Sequence, residues 1–202
     1  MGRCFVGNDI LSLEDKHNQH SFSNPKFLRK ILTDKEWNFV FRENKPFLPF
    51  LFWTCKESAY KIALKAGLYG GFVPQYFEVT MEKNCTKNKF AGLVRFQDMV
   101  FYFRSEIADG YISTLASNNN HSWQFIQIYN GISQNSDPGS QMKKHLKQNI
   151  SQNYNLSCSD FGIYKDEKGI PFLHGPIEHV MPDISFSHDD VYFSYAILYP
   201  QV

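Results

Sequence analysis

Phe50-Leu51-Phe52-Trp53-Thr54-Cys55-Lys56-Glu57-Ser58-Ala59-Tyr60-Lys61-Ile62-Ala63-Leu64-Lys65 is where the chain turns from one kind of structure to another. It is aromatic and apolar, holds no Gly or Pro, and reads as one long helix. Pro46 and Pro49 break the chain before it, and Gly67, Gly70 and Gly71 end it. Upstream the signals are helical. Ser23-Asn24-Pro25 starts a helix with Pro in its first turn, and Thr33-Asp34-Lys35-Glu36 is a capping box for a second helix reaching about Arg42.

Downstream the period falls to two. Tyr76 to Met81, Gly92 to Phe96, Val100 to Arg104, Tyr111 to Ala116 and Phe125 to Tyr129 read as strands. After a helix from Gln141 to Ile150 come a hairpin, Phe161 to Tyr164 with Ile170 to Leu173, and two last strands, Asp183 to Ser187 and Val191 to Tyr199. The final strand has few charges, which predicts cover on both faces. Helices first and strands later argue for an α+β fold with helices on antiparallel sheet. The break between Asn118 and Ser140 divides the chain into expected units of residues 1–117 and 118–202.

Composition narrows the function. The chain has 202 residues, 43% hydrophobic and 20% charged, which suits a globular protein and no fibrous or disordered one. Its net charge of +1 supplies no global field for nucleic acid or anionic lipid. No run approaches the ~18 apolar residues of a membrane helix. The N-terminal residues do not read as a signal peptide, since an acid, Asp9, interrupts a short apolar run. Cys4, Cys55, Cys85 and Cys158 form no C-x-x-C pair and are expected as reduced thiols, Cys55 as a small buried one. The sequons at Asn84, Asn120, Asn149 and Asn155 read as chance matches, and the expected location is cytoplasmic.

Three segments carry candidate chemistry. In Gly7-Asn8-Asp9-Ile10, an Asp at a strand end beside a glycine can hold a hard cation or cap a turn. In the long helix, Glu57 and Lys61 are four apart and share a face, as a surface ion pair or as a metal ligand beside a phosphate-binding lysine. In Asp183-Ile184-Ser185-Phe186-Ser187-His188-Asp189, hydroxyls and an imidazole at a strand end can bind phosphate oxygens or make local turn bonds.

Together and in this order, the three resemble the 4'-phosphopantetheinyl transferases. That family shows a G-x-D, here Gly7-Asn8-Asp9; a [WF]-x-x-K-E-[SA]-x-x-K helix, here Trp53 to Lys61; and an S-x-S-H strand, here Ser185 to His188. Gly169-Ile170-Pro171 is similar to its G-K-P turn, and Lys30-Ile31-Leu32-Thr33-Asp34-Lys35-Glu36 to the R-x-L-T-x-x-E of the small holo-acyl-carrier-protein synthase type. The motif order matches that small type, but the chain is longer, with the extra residues between the K-E helix and the turn. Phe101 to Ala116 is similar to strands of the Sfp type, which holds two similar halves in one chain. The resemblance implies two similar α+β lobes packed as a pseudo-dimer with antiparallel sheets, the lobes in swapped order and the active site in the cleft between them.

It further implies Mg2+-dependent transfer of 4'-phosphopantetheine from coenzyme A to a serine of an acyl or peptidyl carrier protein, with 3',5'-ADP as product. Asp9 and Glu57 are the implied metal ligands, with Glu57 or a metal-bound water as base. Lys61 and His188 are implied to neutralise phosphate, Ser187 to hydrogen-bond it, and Lys56 to serve the coenzyme. Two positions depart from the pattern: Leu11 stands where the Sfp type often has Glu, and Ile170 replaces the lysine of G-K-P, leaving Lys168, Lys165 or Arg3 to compensate. Lys26, Arg29 and Lys30 form a basic cluster suited to an acidic carrier. Two lobes in one chain imply a monomer. The rival readings are a non-catalytic relative that binds coenzyme A or a carrier, and a metal-dependent nuclease. The nuclease core needs its acid and lysine at alternate strand positions, whereas Glu57 and Lys61 have helical spacing.

Overall fold

The computed structural model describes residues 3–68, 70–82, 86–134, 137–176 and 181–200; Asn84, Cys85 and Ser136 lie outside them. Strand β1 (Val6–Ser12) is followed by helices α1 (Lys16–Ser23), α2 (Pro25–Ile31), α3 (Asp34–Glu43) and α4 (Leu48–Lys65), then strands β2 (Glu78–Met81), β3 (Lys89–Phe96), β4 (Met99–Ala108) and β5 (Tyr111–Ser117). Next come β6 (Ile126–Ile132), α5 (Pro138–Tyr154), β7 (Gly162–Lys165), β8 (Pro171–His174), β9 (Asp183–Asp189) and β10 (Tyr192–Leu198). Every strand pair is antiparallel. One sheet has the order β1-β5-β4-β3-β2, a second β6-β10-β9, and β7 pairs with β8. The fold is α+β with antiparallel sheets and five α-helices among the described residues.

The caps explain where the helices start. Thr33 and Glu36 exchange both bonds of the capping box at α3, and Asn24 caps α2 ahead of Pro25. Helix α1 is absent from the sequence reading. Lys16–Ser23 buries only Phe22, so it carries no apolar stripe to give it away; the Asp15 side chain, accepting from the Asn18 amide, caps it.

Packing makes layers. Phe52, Cys55, Ala59, Ile62 and Ala63 of α4 share a buried core with Val94, Phe101, Phe103, Ile112 and Ala116 of the first sheet. Met142, Leu146 and Ile150 of α5 share another with Ile184, Phe193, Tyr195 and Ile197 of the second. A smaller core of Val6, Leu115, Ala196 and Leu198 lies between the sheets. Phe193, Tyr195 and Ile197 thus face α5 while Ala196 and Leu198 face the first sheet, so β10 is buried at every residue, as its lack of charge predicts.

Candidate active site

Strand β1 is an edge strand of the first sheet. Residue 13 donates its amide to Gly110 across the β5 side, so the odd residues bond inward and the even residues present N–H and C=O outward. An exposed edge would cost these groups their partners. Here side chains supply them. Strand β9 runs alongside in step: Asp183 Oδ2 accepts from the Val6 amide (2.8 Å), Ser185 Oγ from Asn8 (3.1 Å) and Asp189 Oδ2 from Ser12 (2.8 Å), each partner 177 residues away. Positions 183, 185, 187 and 189 share one face of a strand, which is why alternate polar residues can do this.

Helix α4 serves the same edge. Glu57, Lys61 and Lys65, four apart, lie on one helix face. Lys65 Nζ donates to the Val6 carbonyl (2.7 Å), the Ile184 carbonyl (2.7 Å) and Asp183 Oδ2 (2.8 Å). Lys61 Nζ donates to the Asn8 carbonyl (2.7 Å) and Asp9 Oδ1 (3.1 Å). Gly7 makes the approach possible, because a Cβ there would lie 2.1 Å from the Ser58 carbonyl oxygen. The glycine of the first motif is therefore a packing requirement of the third residue's site.

Asp9, Glu57, Lys61 and Ser187 come together. The Ser187 hydroxyl donates to Asp9 Oδ1 at 2.7 Å, on the same oxygen that Lys61 holds. Burial, then the Asp9 charge, push the Glu57 carboxyl up to about 7, with Lys61 offsetting part of the rise. Two carboxylates with too little positive charge between them are hard oxygen donors suited to Mg2+, and a cation there would relieve the repulsion that raises Glu57. The described residues hold no group of three or more His, Cys, Asp or Glu placed to hold a metal ion together, so water and substrate oxygens would complete the coordination.

Lys56 and His188 are not in this cluster. Lys56 neighbours Glu57 in sequence and so points about 100° away around the helix. Its ammonium is enclosed, donating to Glu36 Oε2 (2.6 Å), the Ile31 carbonyl (2.9 Å) and the Pro74 carbonyl (3.0 Å). Those three bonds use all its donors. His188 is exposed and lies on the other face of β9 from Ser187, the face that carries Ile184 and Phe186. A Cβ on Gly139 at the start of α5 would sit 3.5 Å from its Nε2.

Beside the cluster opens a cleft of about 160 Å³ lined by Lys61, Lys65, Lys165, Gly169, Ile170 and Ser185, among others. Of the three bases considered for the missing lysine, Lys165 lines it, while Arg3 stacks on Phe5. Gly169 has φ +77°, which the turn between β7 and β8 requires. A larger groove of about 660 Å³ lies against Phe22, Leu28, Val40, Phe47 and Phe50 and holds no carboxylate among its lining residues. Lys26, Arg29 and Lys30 of the basic cluster on α2 are all exposed, and Arg29 stacks 3.7 Å over Trp37. Burial pushes the Cys55 thiol up to about 12, which makes it inert, as expected of a small buried residue.

The sequence reading assigns Lys65 and Asp183 no site role, although the i+4 step beyond Lys61 and the alternation through β9 both signal them; the Ser185 hydroxyl, expected to bind phosphate, accepts from the Asn8 amide instead. The sequence model of the 4'-phosphopantetheinyl transferase superfamily matches residues 5–116. The chain belongs to that superfamily, whose members are transferases acting on carrier proteins with coenzyme A, typically with a divalent metal. The match takes in Asp9, Glu57 and Lys61 and ends before Ser187 and the Gly169 turn. No curated protein and no solved structure matches the chain. No helix among the described residues is long and apolar enough to cross a membrane.

Proposed function

We propose that this protein transfers 4'-phosphopantetheine from coenzyme A to a serine of an apo carrier protein, releasing 3',5'-ADP, with Mg2+ held by Asp9 and Glu57. The observation that carries the reading is the meeting of two carboxylates, Asp9 and Glu57, at one strand edge, with the Lys61 ammonium bonded to Asp9. Glu57, or a water on the metal, takes the proton from the serine hydroxyl. Lys61 places a positive charge where phosphate charge develops, and Ser187 offers a hydroxyl on the same side. The bound metal supplies charge stabilisation at the pyrophosphate.

The coenzyme lies along β9 in this reading. The Lys165 ammonium stands 5.5 Å over the Phe186 ring, and both line the cleft with Lys61. Ser187 meets the ligand on the face toward Asp9, and His188, on the other face, serves a phosphate of the coenzyme away from that cluster. Lys165 takes the place of the missing G-K-P lysine. Lys56 holds the helix, not the coenzyme. Lys26 and Lys30 offer a docking surface to an acidic carrier.

The architecture is a pseudo-dimer of lobes 1–117 and 118–202. Its support is the repeated strand order: β1-β5-β4 with α4 in the first sheet corresponds to β6-β10-β9 with α5 in the second. The first lobe supplies Asp9, Glu57 and Lys61; the second supplies Ser187 and the Gly169 turn. The test is intact-mass spectrometry of an apo carrier protein incubated with this protein, coenzyme A and Mg2+. A gain of one phosphopantetheine, lost with EDTA, is expected. No gain with fatty-acid, polyketide and peptide-synthetase carriers, together with tight coenzyme A binding, would favour the non-catalytic relative.

A further inference from the structure

The outward edge of β1 is a row of four main-chain rungs, at Val6, Asn8, Ile10 and Ser12. Three are filled on both groups. At Val6 the amide goes to Asp183 and the carbonyl receives Lys65; at Asn8 the amide goes to Ser185 and the carbonyl receives Lys61; at Ser12 the amide goes to Asp189 and the carbonyl receives Asn18 Nδ2 (3.2 Å). At Ile10 neither group has such a partner among the described residues.

The gap has a cause on each side. Along α4 the face that gives Lys65 to Val6 and Lys61 to Asn8 arrives at Ile10 with Glu57. An ionised carboxylate cannot donate to a carbonyl. Along β9 the residue in step with Ile10 is Ser187, by the offset that pairs Asp183 with Val6, Ser185 with Asn8 and Asp189 with Ser12. Its hydroxyl is turned instead to Asp9 Oδ1. The one open rung is therefore the one enclosed by Asp9, Glu57, Lys61 and Ser187, and Ile10 itself is 1% exposed. A buried N–H without a protein partner costs about 1–3 kcal/mol, so a row otherwise filled at every rung implies that this one is filled by something bound.

We propose that the Ile10 main-chain N–H is a substrate-binding donor that holds a non-bridging phosphate oxygen of the coenzyme A pyrophosphate. The ligand is anionic oxygen because the group is a donor beside the Lys61 ammonium, and a cation held by Asp9 and Glu57 would offset their charge there. A fixed main-chain dipole needs no reorganisation when charge grows on that oxygen, so it serves the transition state as well as the bound substrate. The inference rests on the coenzyme A reading above.

The experiment is an amide spectrum of the full chain labelled with 15N-isoleucine, with Mg2+ present, before and after coenzyme A. Ile170 lines the cleft and reports coenzyme binding in the same sample. The expected result is a downfield shift of the Ile10 proton, with slowed exchange, alongside a shift of Ile170. Movement of Ile170 with Ile10 unmoved would overturn the inference and leave the coenzyme reading intact, since Ile10 would then close on Ser187 or Glu57. Neither signal moving would overturn both. Replacing the Ile10 amide by an ester through ligation of a synthetic N-terminal segment removes the donor and leaves the fold's own bonds in place. Coenzyme A affinity should fall about tenfold or more in that variant. Unchanged affinity in a variant with native circular dichroism would also overturn the inference.

Discussion

Glu57 sits where function and stability pull in opposite directions. Burial and Asp9 raise its carboxyl from 4.5 to about 7, so the folded protein binds this proton more tightly than the unfolded chain. The stabilisation is complete below the unfolded value and is lost as pH rises through about 7, where the folded site must hold the ion. Glu57→Gln keeps the shape without the charge. In EDTA, the variant should match the wild type in thermal unfolding at pH 4, and exceed its stability at pH 8 by about 1–3 kcal/mol. Mg2+ should narrow the difference by stabilising the wild type alone, while transfer activity in the variant falls to background. Equal stability at both pH values would mean that Glu57 is not held as described. Lys56 is the contrasting neighbour. It is enclosed against Glu36, and Lys56→Met strands that carboxylate, which should cost about 3–5 kcal/mol in chemical unfolding. Coenzyme A affinity of the folded fraction should not change. A selective loss of affinity would return Lys56 to the binding site. The adjacency of the two residues is visible in the sequence, and so is the 100° between them. The Ile31 and Pro74 carbonyls that enclose one of them are not, because they come from chain segments far from α4.

At the scale of elements, the approach of α4 to β1 sets the site. Gly7 lets the helix backbone close on the strand, and Ile62 and Ser58 occupy the space a side chain would need. Gly7→Ala must push α4 outward, carrying Glu57 away from Asp9. The expected outcome is a loss of about 1–3 kcal/mol of stability and a fall of the Glu57 carboxyl toward its ordinary range, read by 13C chemical shift against pH. Activity should drop by more than stability explains. A Glu57 titration left near neutrality would show that the helix yields without moving the site. Most elements were legible in the sequence. The capping box at Thr33 and the two-residue period after Tyr76 place α3 and the strands because each signal is local. The site was legible only in part. Asp9, Glu57, Lys61 and Ser187 stand in motifs, and Leu11 was identified as the place of a missing carboxylate. The seam between β1 and β9 was not, since it joins residues 177 apart through side chains that singly read as turn formers.

For the whole molecule, that seam is what joins the two sheets at the site. Lys65 is 3% exposed on its side chain and bonds both strands at once, through Val6 and Ile184, while Asp183 ties the Val6 amide to the same ammonium. Burial pushes the Lys65 ammonium down and Asp183 pulls it back up, so its charge depends on the partner across the seam. Removing either member leaves the other buried and unpaired. Lys65→Met and Asp183→Leu should each destabilise by about 3–5 kcal/mol, and the double variant by less than either, because an apolar pair restores packing without a stranded charge. The double variant should still not recover the wild-type affinity for coenzyme A, because the Val6 and Ile184 carbonyls stay unbonded and β9 loses the tie that keeps it in step with β1. Unfolding curves with calorimetric titration of coenzyme A, run on all four proteins, separate these outcomes. If the double variant regains both stability and affinity, the seam is packing alone and the position of Ser187 does not depend on it. If it regains stability alone, the register of the two strands positions Ser187 against Asp9, and a residue outside every recognised motif determines how well the two halves of the site meet.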